Sequence, residues 1–186
     1  ANPSASQRQT CAGDTWRNRY RSLCLIAHSM GGLVTQRALL GDKALRSRVS
    51  HVFLFGTPSG GLVKASLARI LKPQLRNMGH DGEFIRKLRA DWDRQFSLTA
   101  GRSLPFRFIA AAGERDEFVP AASAIGPFPP DAFPDSIATV PGNHLEMVKP
   151  NAPDHPSVLL VVNGLLGAAA PGGPWNAARA AVELCD

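Results

Sequence analysis

Three residue types in three separated stretches of this chain could together attack an acyl carbonyl: a serine at 29, a carboxylate near 116 and a histidine at 144. Ser29 stands in Ser-Leu-Cys-Leu-Ile-Ala-His-Ser-Met-Gly-Gly-Leu-Val-Thr, residues 22–35. The apolar run Leu23 to Ala27 predicts a buried strand, with Cys24 inside it as a small buried hydrophobe. The chain then turns through His28-Ser29-Met30-Gly31 into an apolar helical run. Strand, tight turn and helix in that order are the setting of a nucleophile elbow, which exposes its serine at the top of a sheet. Such a turn strains the serine backbone and needs small neighbours. Gly31 and Gly32 supply them, and Ala27 stands where glycine is usual. The same turn sets the Met30 N–H at a helix N-terminus, aimed at a developing oxyanion.

A serine hydroxyl is a poor nucleophile at neutral pH and requires a base within hydrogen-bond reach. His144, in Pro141-Gly142-Asn143-His144-Leu145-Glu146-Met147, is the candidate. His28 lies inside the elbow, with its side chain expected to point away from the serine. His51 precedes a strand, His80 falls between helical segments, and His155 reads as a helix terminus. A carboxylate must fix the imidazole tautomer and stabilise the imidazolium that forms. Glu114, Asp116 and Glu117 share one loop, 112–120. Asp116 is favoured, and the sequence leaves the choice among the three open.

The elements that must position these residues follow from hydrophobic periodicity. A polar helix is expected over 5–20, strands at 22–27, 52–55, 106–111 and around 136–140, and helices at 31–40, 156–167 and 174–184. Strands alternating with helices predict a parallel sheet covered on both faces, in one domain spanning 1–186. Active residues then gather in loops at the carboxyl ends of strands, which is where Ser29, the acid loop and His144 fall. The Gly56-Thr57-Pro58-Ser59-Gly60-Gly61 run follows the second strand. Its Thr57 and Pro58, together with His28, are candidate substrate contacts, and the run could equally serve only to turn the chain. Residues 62–98 are expected to form a helical cap over the site.

The chain of 186 residues is 44% hydrophobic, enough for a core. Its net charge of +6 comes from arginines and lysines spread without basic runs or interleaved aromatics. That argues for a solvated basic surface and against nucleic acid, and leaves contact with an anionic membrane face open. Three cysteines, Cys11, Cys24 and Cys185, argue against a disulfide framework or a zinc site. No cofactor and no metal are expected. Residues 1–21 carry no apolar signal stretch, so a cytoplasmic location is the default expectation; the oligomeric state is not legible.

The segments AHSMGGLV, LFGTPSGG, GERDEFVP and GNHLEMVKP, over residues 22–167, together resemble α/β-hydrolase serine esterases of the lipase-like branch. That branch includes the GPI inositol-deacylase-like and serine-active-site-containing proteins. The order serine, acid, histidine is that of α/β-hydrolase triads. The resemblance implies Ser29 as nucleophile, Asp116 as acid, His144 as base and the Met30 N–H as an oxyanion donor. It also implies strands upstream of the elbow, one of whose loops gives a second donor. Only 28 residues precede Ser29, so the expected fold is an α/β-hydrolase, N-terminally truncated, with a mainly parallel sheet flanked by helices. The expected activity is hydrolysis of a small-molecule or lipid-like ester through an acyl-enzyme. The same triad could serve an acyltransferase, and a hydrolase-like module that only binds is the alternative from another class.

Overall fold

A computed structural model of the chain describes residues 22–61, 81–97 and 104–167. The polar helix expected at 5–20, the first part of the cap segment and the helix expected at 174–184 lie outside the described residues. Within them the order is β1 (Leu23–His28), α1 (Met30–Gly41), α2 (Lys43–Arg46), β2 (Val49–Phe55), α3 (Asp81–Phe96), β3 (Arg107–Gly113), α4 (Ala121–Ala124), β4 (Ile137–Val140), a 3₁₀ turn (Glu146–Val148) and α5 (Pro156–Leu166).

The four strands form one sheet in the order β1-β2-β3-β4, and every pairing is parallel. Parallel neighbours need a crossover on a sheet face, so both faces acquire helices and the inner strands lose their polar alternation. β2 shows this directly, being buried at every position from Val49 to Phe55. From Val52 onward its even and odd residues feed different cores. Val52 and Leu54 join Leu39, Trp92, Phe96, Phe106, Phe108 and Phe128 on one face. Phe53 and Phe55 join Ile109, Ala111, Val140 and Met147 on the other, against Leu160, Val161 and Leu165 of α5.

Among the described residues β1 has a single neighbour and forms an edge. The strand expected to be buried is therefore half open: Ile26 is 59% exposed, and Cys24 lies exposed where a buried hydrophobe was expected. Among the described residues nothing packs over those side chains, and so their apolar character does not bury them.

The segment expected as a cap divides. Its second half is α3, whose Ile85, Leu88, Trp92 and Phe96 are buried at helical spacing. Leu88 packs with Leu33 of α1, while Trp92 and Phe96 lie in the core on the sheet face. This half flanks the sheet through Trp92 and Phe96, while Phe84 and Ile85 at its start share a cluster with Met30 of the elbow. Periodicity alone does not say which surface a helix packs on. Among the described residues no helix is long and apolar enough to cross a membrane.

Candidate active site

Register brings the strand ends level. His28 pairs with Phe55, Phe55 with Ala111, and Gly113 with Val140. The next residues of β1, β3 and β4 therefore leave the sheet along one rim, and three loops far apart in sequence meet there.

Ser29 sits at the first bend. Its backbone has φ 54 and ψ −130, a region that L-residues seldom occupy and that costs of order 1–3 kcal/mol. Its N–H still donates to the Phe55 carbonyl at 2.9 Å, extending the ladder by one residue. Serine at a helix N-cap ordinarily turns its hydroxyl onto the helix, but Ser29 makes no such bond. Its Oγ lies instead 3.0 Å from Nε2 of His144. The Met30 N–H, the first of α1, follows Ser29 directly and has no intrahelical acceptor.

His144 Nδ1 lies 2.7 Å from Oδ2 of Asp116. An ionised carboxylate only accepts, so Nδ1 carries the proton and Nε2 presents a lone pair to the Ser29 hydroxyl. Asp116 is fixed in turn by the N–H groups of Phe118 and Val119, which donate to its Oδ1 at 2.9 and 2.8 Å. Burial pushes this carboxyl up, but the bond from His144 and the two backbone donors outweigh it and hold it below its ordinary value of 3.8. Glu114 and Glu117 both point to solvent. Of the three acids in the loop, Asp116 alone meets the histidine. The imidazole is flanked by Phe118, edge-on at 5.6 Å, and by His28 at 4.5 Å.

Two glycines make room for this arrangement. Gly56, the first residue beyond β2, has φ 50, and a Cβ there would lie 3.0 Å from Asp116 Oδ2 and 3.2 Å from His144 Nδ1. Gly32, in the first turn of α1, faces Thr57 so closely that a Cβ would fall 1.9 Å from its hydroxyl oxygen. Read from sequence, Gly56 was only a turn former. Its place just after a strand, on the rim where site loops gather, was the signal that it seats the dyad.

The three expected substrate contacts lie around this hydrogen-bond chain. Thr57 and Pro58 are both buried, and Thr57 packs against Gly32 of the elbow helix. His28 lies beside the base, with Nε2 2.8 Å from the His144 carbonyl oxygen. An apolar groove of about 260 Å³ runs past Ile26, Phe55, Met147 and Val158, and its walls include none of the three triad candidates. His155 caps α5, its ring nitrogen accepting from the Ser157 N–H. Among the described residues no three His, Cys, Asp or Glu side chains converge as metal ligands would.

His28 and the fully buried His51 are both held below their ordinary 6.5, chiefly by burial. The unfolded chain therefore binds protons at these positions more tightly than the folded chain. Their contribution to stability is complete above the ordinary value and is lost as pH falls through the folded values. Thermal melts taken from about pH 7.5 down to about 5 are expected to show a falling Tm, with a shallower slope in His51→Gln.

The described structure is thus a parallel α/β sheet carrying a Ser–His–Asp hydrogen-bond chain on the rim of its carboxyl ends. No protein-family model matches the chain, and no curated protein matches it. Among solved structures, a match is 2-hydroxy-6-oxo-6-phenylhexa-2,4-dienoate hydrolase (BphD) from Rhodococcus sp. strain RHA1, at 15% identity and a TM-score of 0.36. The match covers 67% of this chain and 57% of that one, so the chain spans little more than half the length of that structure. Nothing in these comparisons supports the GPI inositol-deacylase-like branch that the motifs resemble. The chemistry of the site therefore rests on its own geometry.

Proposed function

We propose that this chain is a serine hydrolase of the α/β-hydrolase type that cleaves carboxylic esters through an acyl-enzyme. The observation that carries the proposal is the continuous chain from Ser29 Oγ to His144 Nε2 at 3.0 Å and from His144 Nδ1 to Asp116 at 2.7 Å. It is supported by the strained backbone of Ser29 at the N-terminus of α1.

In this reading His144 takes the Ser29 proton as Oγ attacks the ester carbonyl, and Asp116 stabilises the imidazolium. The oxyanion forms beside the Met30 N–H. Collapse of the tetrahedral species expels the alcohol, which receives the proton from His144, and leaves an acyl group on Ser29. Water, deprotonated by the same histidine, then releases the acid and restores the serine. Leu145, an exposed apolar side chain next to the base in the chain, suits a small-molecule or lipid-like ester.

A fluorophosphonate probe, combined with a short p-nitrophenyl ester assay, tests the proposal. Labelling of Ser29 located by peptide mass spectrometry, with steady ester turnover, is the expected result. Folded protein that is neither labelled nor active would sink it and favour the binding module. Products collected with a competing alcohol separate hydrolysis from acyl transfer.

A further inference from the structure

His28 makes a contact for which the proposed triad has no use. Its Nε2 lies 2.8 Å from the backbone oxygen of His144, and the two ring centroids are 4.5 Å apart with planes inclined at 44°. A carbonyl oxygen only accepts, so Nε2 of His28 carries the proton and donates. His28 ends β1 one residue before Ser29, and His144 follows it by 116 residues in the loop after β4. The bond ties the strand that presents the hydroxyl to the backbone of the residue that must receive its proton.

Other hydrogen bonds of this loop act within it or toward the acid loop, among them Met147 N–H to the Asn143 carbonyl and Arg115 N–H to the Gly142 carbonyl, both at 3.1 Å. Asn143 Oδ1 accepts from the N–H groups of Leu145 and Glu146, both at 3.0 Å, which shapes the turn internally. Glu146 accepts from the Asn143 N–H at 2.9 Å and pairs with Arg115 at 3.0 Å, linking the loop to the acid loop. Those side chains are exposed, where ion pairs and hydrogen bonds are weakest. None of them fixes the distance from His144 to β1. The bond from His28 does, through a half-buried donor.

We infer that His28 is a positioning residue for the base: its Nε2–H holds the His144 backbone so that the imidazole stays within hydrogen-bond reach of Ser29. The inference rests on the Ser29–His144–Asp116 chain being the hydrolytic machinery proposed above. Because proton transfer depends steeply on placement, the loss should fall on the chemical step and leave substrate binding largely intact.

The test compares His28→Leu with His28→Gln, whose amide can present an N–H in place of the ring donor, and uses His28→Ala as a second donor-less variant. In p-nitrophenyl ester turnover the donor-less variants are expected to lose about tenfold to a hundredfold in kcat with KM little changed. His28→Gln is expected to recover most of that loss. Equal kcat in all forms, equal losses in the leucine and glutamine variants, or an effect confined to KM would overturn the inference. Proton NMR gives a readout independent of turnover, through the downfield Nδ1 proton that His144 shares with Asp116. That signal should broaden or shift in the donor-less variants and persist in His28→Gln. An unchanged signal in His28→Leu counts against His28, whereas wild-type protein with the signal but no turnover counts against the proposed hydrolysis alone.

Discussion

Ester turnover in Ser29→Ala and His144→Ala is expected to fall by about 10⁴- to 10⁶-fold each, and the double variant should fall scarcely further. Non-additivity is the informative part. The hydroxyl and the imidazole share one proton across 3.0 Å, so either change removes the same step. A surface serine and an unrelated histidine would instead give independent losses. Asp116→Asn extends the argument with an expected loss of about 10⁴-fold. The asparagine oxygen can still accept from the Phe118 and Val119 N–H groups, which now reach Oδ1. Its amide then faces Nδ1 of His144 with N–H, driving the ring to the tautomer protonated on Nε2, which cannot accept from Ser29. Glu114→Gln and Glu117→Gln, changes at exposed positions, should leave kcat within about twofold, as expected of surface substitutions away from the machinery. Steady-state kinetics on the five single variants and the double variant checks all of this.

Trp92→Ala is expected to destabilise the fold by about 3–5 kcal/mol, out of a total of about 5–15 for a domain of ordinary stability. Trp92 is fully buried in α3. Its ring meets Phe96 at 4.6 Å and Phe108 at 5.5 Å, with Phe106 and Phe128 at 6.3 and 6.5 Å. The Arg89 guanidinium stacks over it at 5.6 Å and over Phe128 at 4.9 Å. Removing the indole opens a cavity that this aromatic cluster, drawn from three separate segments, cannot close by relaxing. Its Nε1 is buried without a hydrogen-bond partner among the described residues, so Trp92→Phe discards that donor along with the lost volume and should cost far less than the alanine. Urea titration followed by circular dichroism distinguishes the two. The consequence reaches the site, because α3 packs on α1 through Leu88 and Leu33, and α1 is the helix that Ser29 opens. Loss of activity in Trp92→Ala should therefore track the unfolded fraction, and ligand-free stability should predict it.

Much of this architecture is written locally in the chain. Short apolar runs between turn formers gave the four strands to within three residues at each end. The elbow was legible because its demands are local: an apolar run, a serine, and a glycine at 32, where a Cβ would meet Thr57; Gly31, expected to make room as well, faces open space among the described residues. The triad candidates were legible for a related reason. In a parallel α/β sheet the loops at carboxyl ends share a rim, so order along the chain already narrows which loops meet.

Other features depended on three-dimensional proximity and could not be read from neighbours in sequence. The choice of Asp116 over Glu114 and Glu117 came from the loop's curvature, which turns one carboxylate onto His144 and the N–H groups of residues 118 and 119 while the other two face water. Gly56 owes its role to two side chains 60 and 88 residues further on, by the difference in their numbers. His28 sits next to the serine in sequence yet reaches the base instead, because β1 and the loop after β4 converge on one rim. The direction in which α3 packs, and the exposure of Cys24 and Ile26 on β1, were set by which elements lie alongside. The sequence by itself determined where strands, helices and a strained serine turn can form, since propensity, periodicity and steric demand act over a few residues. The tertiary structure alone decided which carboxylate, which glycine and which second histidine complete the site, since hydrogen bonds and close packing are fixed by distance in space.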